Sequence, residues 1–296
     1  MHGKIIKIIS NDYTIKLDDN TKIITKPRGV FKNMNITPLV GDNVIVDIDK
    51  KIIDKILTRK NELIRPPVAN IDIAIVVTSC INPDFSSNLL DKMLNIIEFN
   101  NIIPIICFTK YDLLDDTKEI DNIINYYKKI GYKVYINNEI EQIKKIFPFK
   151  VVILTGQTGV GKSTLINKIS NLNLKTNEIS NALGRGKHTT RHIELFDLYD
   201  GLLADTPGFS SLDFIDMKKE DIRDNFIEFN EYKSKCKYRD CMHIMEDNCE
   251  IKTKVNEGII LKSRYDNYIK FVLEKRWNNE NISINIKWKA RLFKLY

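Results

Sequence analysis

The chain has 296 residues, 43% of them apolar and 29% charged, with a formal net charge of +7. That length carries two or three cores, and the absence of any run of eighteen apolar residues argues against a transmembrane helix. The charged N-terminus has no small-residue cleavage site, so no signal peptide is expected. Charge is uneven along the chain: residues 1–66 carry a net +5, residues 67–253 a net −4 and residues 254–296 a net +6. Two basic flanks around an acidic middle suggest a polyanion partner, with RNA the natural candidate.

Residues 1–66 read as five short strands, at Gly3 to Ile9, Tyr13 to Leu17, Thr21 to Lys26, Asp42 to Asp49 and Lys51 to Leu57. Turn residues punctuate them, which predicts a small barrel, of OB type if closed. RPPVANID (Arg65 to Asp72) reads as a proline-marked junction. Beyond it, Ile73 to Thr78 predicts a buried strand. Phe85 to Asn100 has a helical period, with Leu89, Leu90, Met93, Leu94 and Ile97 on one face. A strand (Ile102 to Phe108), a helix (Lys118 to Ile130), a strand (Tyr132 to Ile136), a short helix (Glu139 to Phe147) and the strand VVILT (Val151 to Thr155) follow. Alternation of strand and helix predicts a doubly wound parallel sheet, with ligands at the carboxyl ends of its strands. Ile193 to Tyr199 and Leu202 to Asp205 predict a hairpin around Asp200-Gly201. The tail from about Met217 reads as mostly helical, with one helix over Asn256 to Trp277. The end, IKWKARLFKLY, interleaves basic residues with Trp288, Phe293 and Tyr296, a pattern suited to stacking and phosphate contact with RNA.

The stretch GQTGVGKST, between strand VVILT and helix LINKIS, carries Gly156, Gln157, Thr158, Gly159, Val160, Gly161, Lys162, Ser163 and Thr164. Its glycines let backbone N–H groups converge on phosphate oxygens at a helix N-terminus. Lys162 would reach the β- and γ-phosphates, and the Ser163 hydroxyl would ligate Mg²⁺. Thr109-Lys110-Tyr111-Asp112 has the form [NT]-K-x-D. Alone it is a common surface turn; after a buried strand, beside a phosphate loop, it points to guanine. The Asp112 carboxylate can accept from guanine N1–H and the 2-amino group, and adenine offers neither donor. Asp205-Thr206-Pro207-Gly208 has the form D-x-x-G: Asp205 would hold Mg²⁺ through water, and the Gly208 N–H would sense the γ-phosphate. Thr189 and Thr190 are candidates for the threonine that completes the Mg²⁺ shell.

The base-reading motif precedes the phosphate loop, whereas in ordinary GTPases it follows, so the domain reads as circularly permuted. Phe209 stands where many GTPases place the glutamine that orients the attacking water. Slow hydrolysis by the free protein is therefore expected, with His188 and His192 as weak candidates for positioning water. Cys236-x₄-Cys241-x-His243-x₅-Cys249 supplies three thiolates and an imidazole, a complete tetrahedral set for one structural Zn²⁺. This cysteine usage is a metal pattern and fits a reducing cytoplasm.

Taken together, RPPVANID, TKYDL, GQTGVGKSTLIN, GRGKHTTRH, DTPGF and the Cys/His cluster resemble, in that order, the ribosome small-subunit-dependent GTPase A (RsgA) family over nearly the whole chain. The resemblance implies an α/β architecture: an N-terminal OB barrel over 1–66, a permuted P-loop GTPase domain over 67–216 and a mostly helical zinc module over 217–296. It also implies GTP hydrolysis stimulated by the 30S subunit during late small-subunit maturation, and contacts to 16S rRNA. A cytoplasmic monomer without membrane contact is expected. Two positions depart from the family: Thr109 replaces the commoner Asn, and Tyr135-Ile136-Asn137-Asn138 replaces the usual Ser-Ala stretch, leaving that guanine contact unassigned. The competing readings are a P-loop ATPase or kinase, against which Asp112 argues, a nucleotide-gated RNA-binding module with negligible turnover, and a permuted GTPase of the large subunit.

Overall fold

The computed structural model describes residues 1–34, 36–64, 66–170, 193–205 and 213–275. They fall into two compact units, Met1–Phe85 with Asn100–Ser211, and Ser86–Phe99 with Leu212–Tyr296.

The first unit begins with strands β1 (His2–Ile9), β2 (Asp12–Leu17), β3 (Lys22–Pro27), β4 (Asn43–Asp47) and β5 (Ile52–Ile56), with a single helical turn α1 (Val30–Asn33) before β4. Their order is β1-β2-β3-β5-β4, and a further β4–β1 pairing closes the barrel. Alternation along the strands turns Ile5, Tyr13, Ile15, Leu17, Val44, Val46 and Ile53 inward, where Phe31 joins them. Register shifts in β1 between Ile5 and Lys7, and in the β4–β5 pair between Ile45 and Val46, supply the extra bend that closing five short strands needs.

The expected junction over 65–72 contains structure of its own. Strands β6 (Glu62–Ile64) and β7 (Pro67–Ala69) form a hairpin, Leu63 opposite Val68. Proline is tolerated because it opens the strand, where no ladder N–H is lost. Gly41 (φ +93°) packs against β7 so closely that a Cβ there would lie 2.0 Å from the Ala69 carbonyl oxygen.

The sheet that carries the motifs has the order β10-β9-β8-β11-β13-β12. Its strands are β8 (Ile73–Ser79), β9 (Ile103–Thr109), β10 (Lys133–Ile136), β11 (Val151–Thr155), β12 (Glu194–Leu198) and β13 (Gly201–Asp205). All neighbours are parallel except β12 and β13, the expected hairpin. Tyr199 and Asp200 turn that hairpin with positive φ (48° and 57°), as a tight two-residue turn requires. β8 and β11 are almost wholly apolar because both faces are covered. Among the described residues of this unit are also helices α3 (Lys118–Lys129), α4 (Ile140–Lys144) and α5 (Lys162–Ser170); α4 is shorter than the expected Glu139 to Phe147. A backbone pairing of Lys7 with Glu194 joins barrel strand β1 to β12. Ion pairs of Lys7 with Glu194 (2.7 Å) and of Lys16 and Lys22 with Asp197 reinforce the seam.

Helix α2 (Ser87–Phe99) follows β8 in sequence but belongs to the second unit. There it meets α6 (Lys219–Asp224), α7 (Phe229–Tyr232), α8 (Glu250–Asn256) and α9, over 262–275. The core combines Ile96 of α2 with Phe226, Phe229, Tyr268 and Phe271. The helix expected from Asn256 begins only at residue 262, because α8 ends at Asn256. Gly258 takes φ +71° and donates to the Val255 carbonyl, while Ile259 and Ile260 donate to Lys254, which stops α8 in a left-handed cap before α9 starts. On α2, Asp91 and Asn95 are buried beside the expected apolar face. Arg264 of α9, 2% exposed, donates to Asp91 (2.5 Å) and in bidentate fashion to Glu228 (2.5 and 2.9 Å), with its guanidinium over the Phe226 ring. Asn267 donates to the second Asp91 oxygen at 2.7 Å, and Asn95 to the Ile222 carbonyl at 2.8 Å. Among the described residues no helix is long and apolar enough to cross a membrane.

Candidate functional site

The phosphate loop leaves β11 and enters α5, as the sequence predicts. Three of its residues need glycine. Gly156, Gly159 and Gly161 have φ of +148°, +86° and +93°, and a Cβ on Gly156 would sit 2.2 Å from the Val77 carbonyl oxygen. Gln157, Thr158, Ser163 and Thr164 are exposed, while Val160 is buried and anchors the loop to the sheet. The Lys162 ammonium curls back to donate to the carbonyls of Gly156 (2.6 Å) and Gln157 (2.8 Å). Burial holds its pKa below the usual lysine value. A phosphate would exchange these neutral acceptors for anionic ones, which form the stronger bonds.

The parallel pairing of β8 with β9 brings the TKYD turn alongside the loop (Ser79 opposite Thr109). Thr109 is 4% exposed, and its hydroxyl lies 2.5 Å from the Val160 carbonyl oxygen and 3.2 Å from that of Thr78. Lys110, in the left-handed region at φ 56°, donates to the Gly159 carbonyl at 2.9 Å and to that of Asn82. The Tyr111 hydroxyl donates to Asp121 at 2.8 Å, which fixes the 3-10 turn Tyr111–Leu113 against the start of α3. Asp112 is exposed on that turn. The Asn137 side-chain amide donates to its Oδ1 at 2.9 Å, and that bond is the main reason its pKa lies below the ordinary aspartate value.

Sequence reasoning left Asn137 unassigned. Its one signal was position, directly after β10, whose pairing with β9 (Ile136 opposite Phe108) puts both strand ends side by side. Asp205 ends β13, which runs parallel to β11, so its backbone reaches the same edge of the sheet as the loop. Gly208, Thr189, Thr190, His188, His192 and Phe209 lie outside the described residues, as do Trp288, Phe293 and Tyr296.

In the second unit the four Cys/His residues come together. One ligand atom from each of Cys236, Cys241, His243 and Cys249 lies within 4.8 Å of all the others. Cys236 Sγ is 3.9 Å from Cys249 Sγ, and His243 Nδ1 is 3.6 and 3.3 Å from those sulfurs. Tetrahedral zinc with the usual bond lengths would require edges of about 3.8 Å between sulfurs and about 3.5 Å from sulfur to nitrogen, so the set fits that ion. Burial pushes the Cys241 thiol up to about 12 and the His243 imidazole down to about 4. The imidazole is thus neutral, the form that ligates, and a bound cation would bring the thiols to thiolates. The ring is fixed from several sides: it packs edge-on against Phe229, and the His243 carbonyl accepts from the Tyr265 hydroxyl at 2.5 Å. Glu246 accepts from the N–H groups of Met242, Ile244 and Met245, which ties down the loop on both sides of the imidazole.

The RsgA GTPase family matches residues 56–215, and the RsgA N-terminal domain matches residues 2–52. The small ribosomal subunit biogenesis GTPase RsgA of Enterococcus faecalis is 46% identical over 283 residues, which span 93% of this chain and 95% of that protein. The chain belongs to the RsgA family of GTPases. It is accordingly a GTP-hydrolysing enzyme. The crystal structure of YloQ, a circularly permuted GTPase, superposes with a TM-score of 0.80 at 39% identity, covering 94% of this chain and 95% of that one. YjeQ from Thermotoga maritima gives 0.80 at 30% identity, covering 92% and 97%. The permuted order of motifs, TKYD before GQTGVGKST, is therefore the RsgA arrangement. The Thr109 hydroxyl faces the Val160 and Thr78 carbonyls.

Proposed function

We propose that this RsgA GTPase binds GTP and GDP on the edge formed by the TKYD turn and the phosphate loop, and hydrolyses GTP when stimulated by the 30S subunit during late small-subunit maturation. The observation that carries the nucleotide site is the direct bonding of base motif to loop, Thr109 to Val160 (2.5 Å) and Lys110 to Gly159 (2.9 Å). The subunit assignment draws on the Enterococcus faecalis relative, named as a small ribosomal subunit biogenesis GTPase.

In this reading the N–H groups of Gly156 to Thr164 and the Lys162 ammonium hold the β- and γ-phosphates. Asp112 accepts from the guanine edge, with Lys110 and Tyr111 shaping the turn that carries it. Ser163, Asp205 and Thr189 or Thr190 would hold Mg²⁺, which would supply positive charge to stabilise the phosphates. Gly208 follows the γ-phosphate. Cys236, Cys241, His243 and Cys249 would hold one Zn²⁺ whose role is structural, since all four positions are filled by protein. The chain divides into a barrel over 1–66, a permuted GTPase over 67–216 and a zinc module over 217–296, with α2 of the middle segment counted in the second compact unit. The basic barrel and C-terminal residues contact 16S rRNA, and the protein works as a cytoplasmic monomer. The test is GTP turnover with no subunits, with 30S and with 50S. The reading expects stimulation by 30S above that by 50S, and equal rates in all three would overturn it.

A further inference from the structure

Helix α9 turns Tyr265, Tyr268, Phe271 and Val272 into the aromatic core of the second unit. On its opposite side Asp266 and Lys270 are exposed, Ile269 is half-buried and Leu273 is 52% exposed. With Glu274 these residues line an open hollow of about 670 Å³, and among the described residues α9 alone supplies its lining. Ile269 and Leu273 give the hollow an apolar floor. Asp266 and Glu274 stand at its ends in exposed pairs with Lys262 (2.6 Å) and Lys92 (3.1 Å), weak contacts that exchange partners readily. The helix is held to its last described residue, where the Lys275 ammonium donates to the Phe214 carbonyl and, at 2.9 Å, to that of Ile215.

The chain runs on from this helix through residues 276–296, which carry five basic residues and one acidic one. Apolar residues occupy every second position here: Ile282, Ile284, Ile286, Trp288, Ala290 and Leu292. Ser283, Asn285, Lys287, Lys289 and Arg291 fall between them. An extended chain with that alternation has one apolar face, and such a face left in water invites aggregation. Asn278-Asn279-Glu280-Asn281 precedes it, polar residues of the kind that reverse a chain. Extended, residues 282–292 reach about 36 Å, enough to run the length of α9, about 21 Å for 262–275. A short tether also raises the local concentration of the segment at α9 to about the millimolar range, which favours it over a free partner.

We propose that the hollow on α9 is the seat of the chain's own C-terminal segment, residues 282–292, which lays its apolar face, Trp288 included, over Ile269 and Leu273. Lys287, Lys289 and Arg291 then form a basic stripe on the outward side. The docking stands without the RNA contact proposed above, and leaves that stripe accessible for it.

Both tryptophans of the chain, Trp277 and Trp288, lie in these residues, so intrinsic fluorescence reports on the segment. The test uses the full, metal-replete chain with Trp277→Phe, so that Trp288 alone emits. Its emission should lie at shorter wavelength, and its quenching by acrylamide should be weaker, than in the same chain unfolded in urea. Adding Leu273→Glu should move both readings to the unfolded values, and Leu273→Met should leave them in place. Ile284→Asn with Ile286→Asn should release Trp288 equally from the segment's side, without touching α9, and helical circular dichroism should stay unchanged. A Trp288 as accessible in the folded chain as in urea overturns the proposal, as does protection that survives the Ile284/Ile286 change or survives Leu273→Glu. Protection lost on dilution would assign the hollow to a second copy, and protection lost on ribonuclease treatment to bound RNA; either result overturns it.

Discussion

The phosphate loop and the Cys/His cluster are both suited to a small ligand, and their donors are kept in opposite ways. In the loop, Lys162 and Lys110 have backbone carbonyls as partners, while Ser163 and Thr164 face solvent. In the cluster, Cys241, His243 and Cys249 are buried, and the four ligand atoms face one another. A group whose cations can exchange one oxygen for another suits a nucleotide that arrives and leaves. A closed set of soft donors suits an ion that stays. The difference predicts that loss of the metal is a folding event in the second unit, and that loss of the nucleotide is a local one in the first.

The strongest way to break this comparison is to remove the metal. Structural zinc contributes on the order of 10 kcal/mol to small metal-dependent folds. Chelation, or Cys241→Ser, should therefore melt the helices of residues 213–275 by circular dichroism and leave GDP binding detectable. Helical content unchanged after complete metal loss would show that the aromatic core suffices. Acid should act in the same direction. Ligation needs thiolates and neutral imidazole, so metal affinity falls as pH falls, and zinc release followed by a chromogenic chelator should rise steadily with acidification.

Next in size is Arg264→Ala. It removes the buried cation shared by Asp91 and Glu228, and breaking a buried pair typically costs about 3–5 kcal/mol. Thermal unfolding should show a large loss of stability in the second unit. Lys162→Ala sharpens the other side of the comparison. It removes charge-assisted bonds to phosphate worth about 1.5–3 kcal/mol each, so GTP affinity should fall at least about tenfold with little change in unfolding temperature. The smallest effect is Thr109→Val. It keeps the shape and deletes the hydroxyl between base motif and loop, costing about 1 kcal/mol of GTP binding, or about fivefold in Kd.

These residues also show where sequence suffices. β8 and β11 were legible because strands buried on both faces must be apolar throughout. The clustering of Cys236, Cys241, His243 and Cys249 was legible from spacing, and the glycine-rich loop from its glycines, whose φ angles admit little else. Proline at 67 concealed the β6–β7 hairpin, because it reads as a breaker when it opens a strand. The apolar pair Ile259-Ile260 concealed the stop at Gly258, because it continues the helical period across the cap. Asp91 and Arg264 look like ordinary surface charges on amphipathic helices. Their burial depends on pairing across 173 residues, which no local pattern carries. The Asn137–Asp112 contact was hidden for the same reason, since it comes from the register between β10 and β9.

The proposed function turns on a GTPase site, built from TKYD, GQTGVGKST and DTPG, that answers to the small ribosomal subunit. Its most direct test is the steady-state rate of GTP hydrolysis by the metal-replete protein, alone and with purified 30S or 50S subunits at equal concentration. Slow turnover alone, marked acceleration by 30S and little by 50S are expected. A rate for the free protein equal to that with saturating 30S would contradict it.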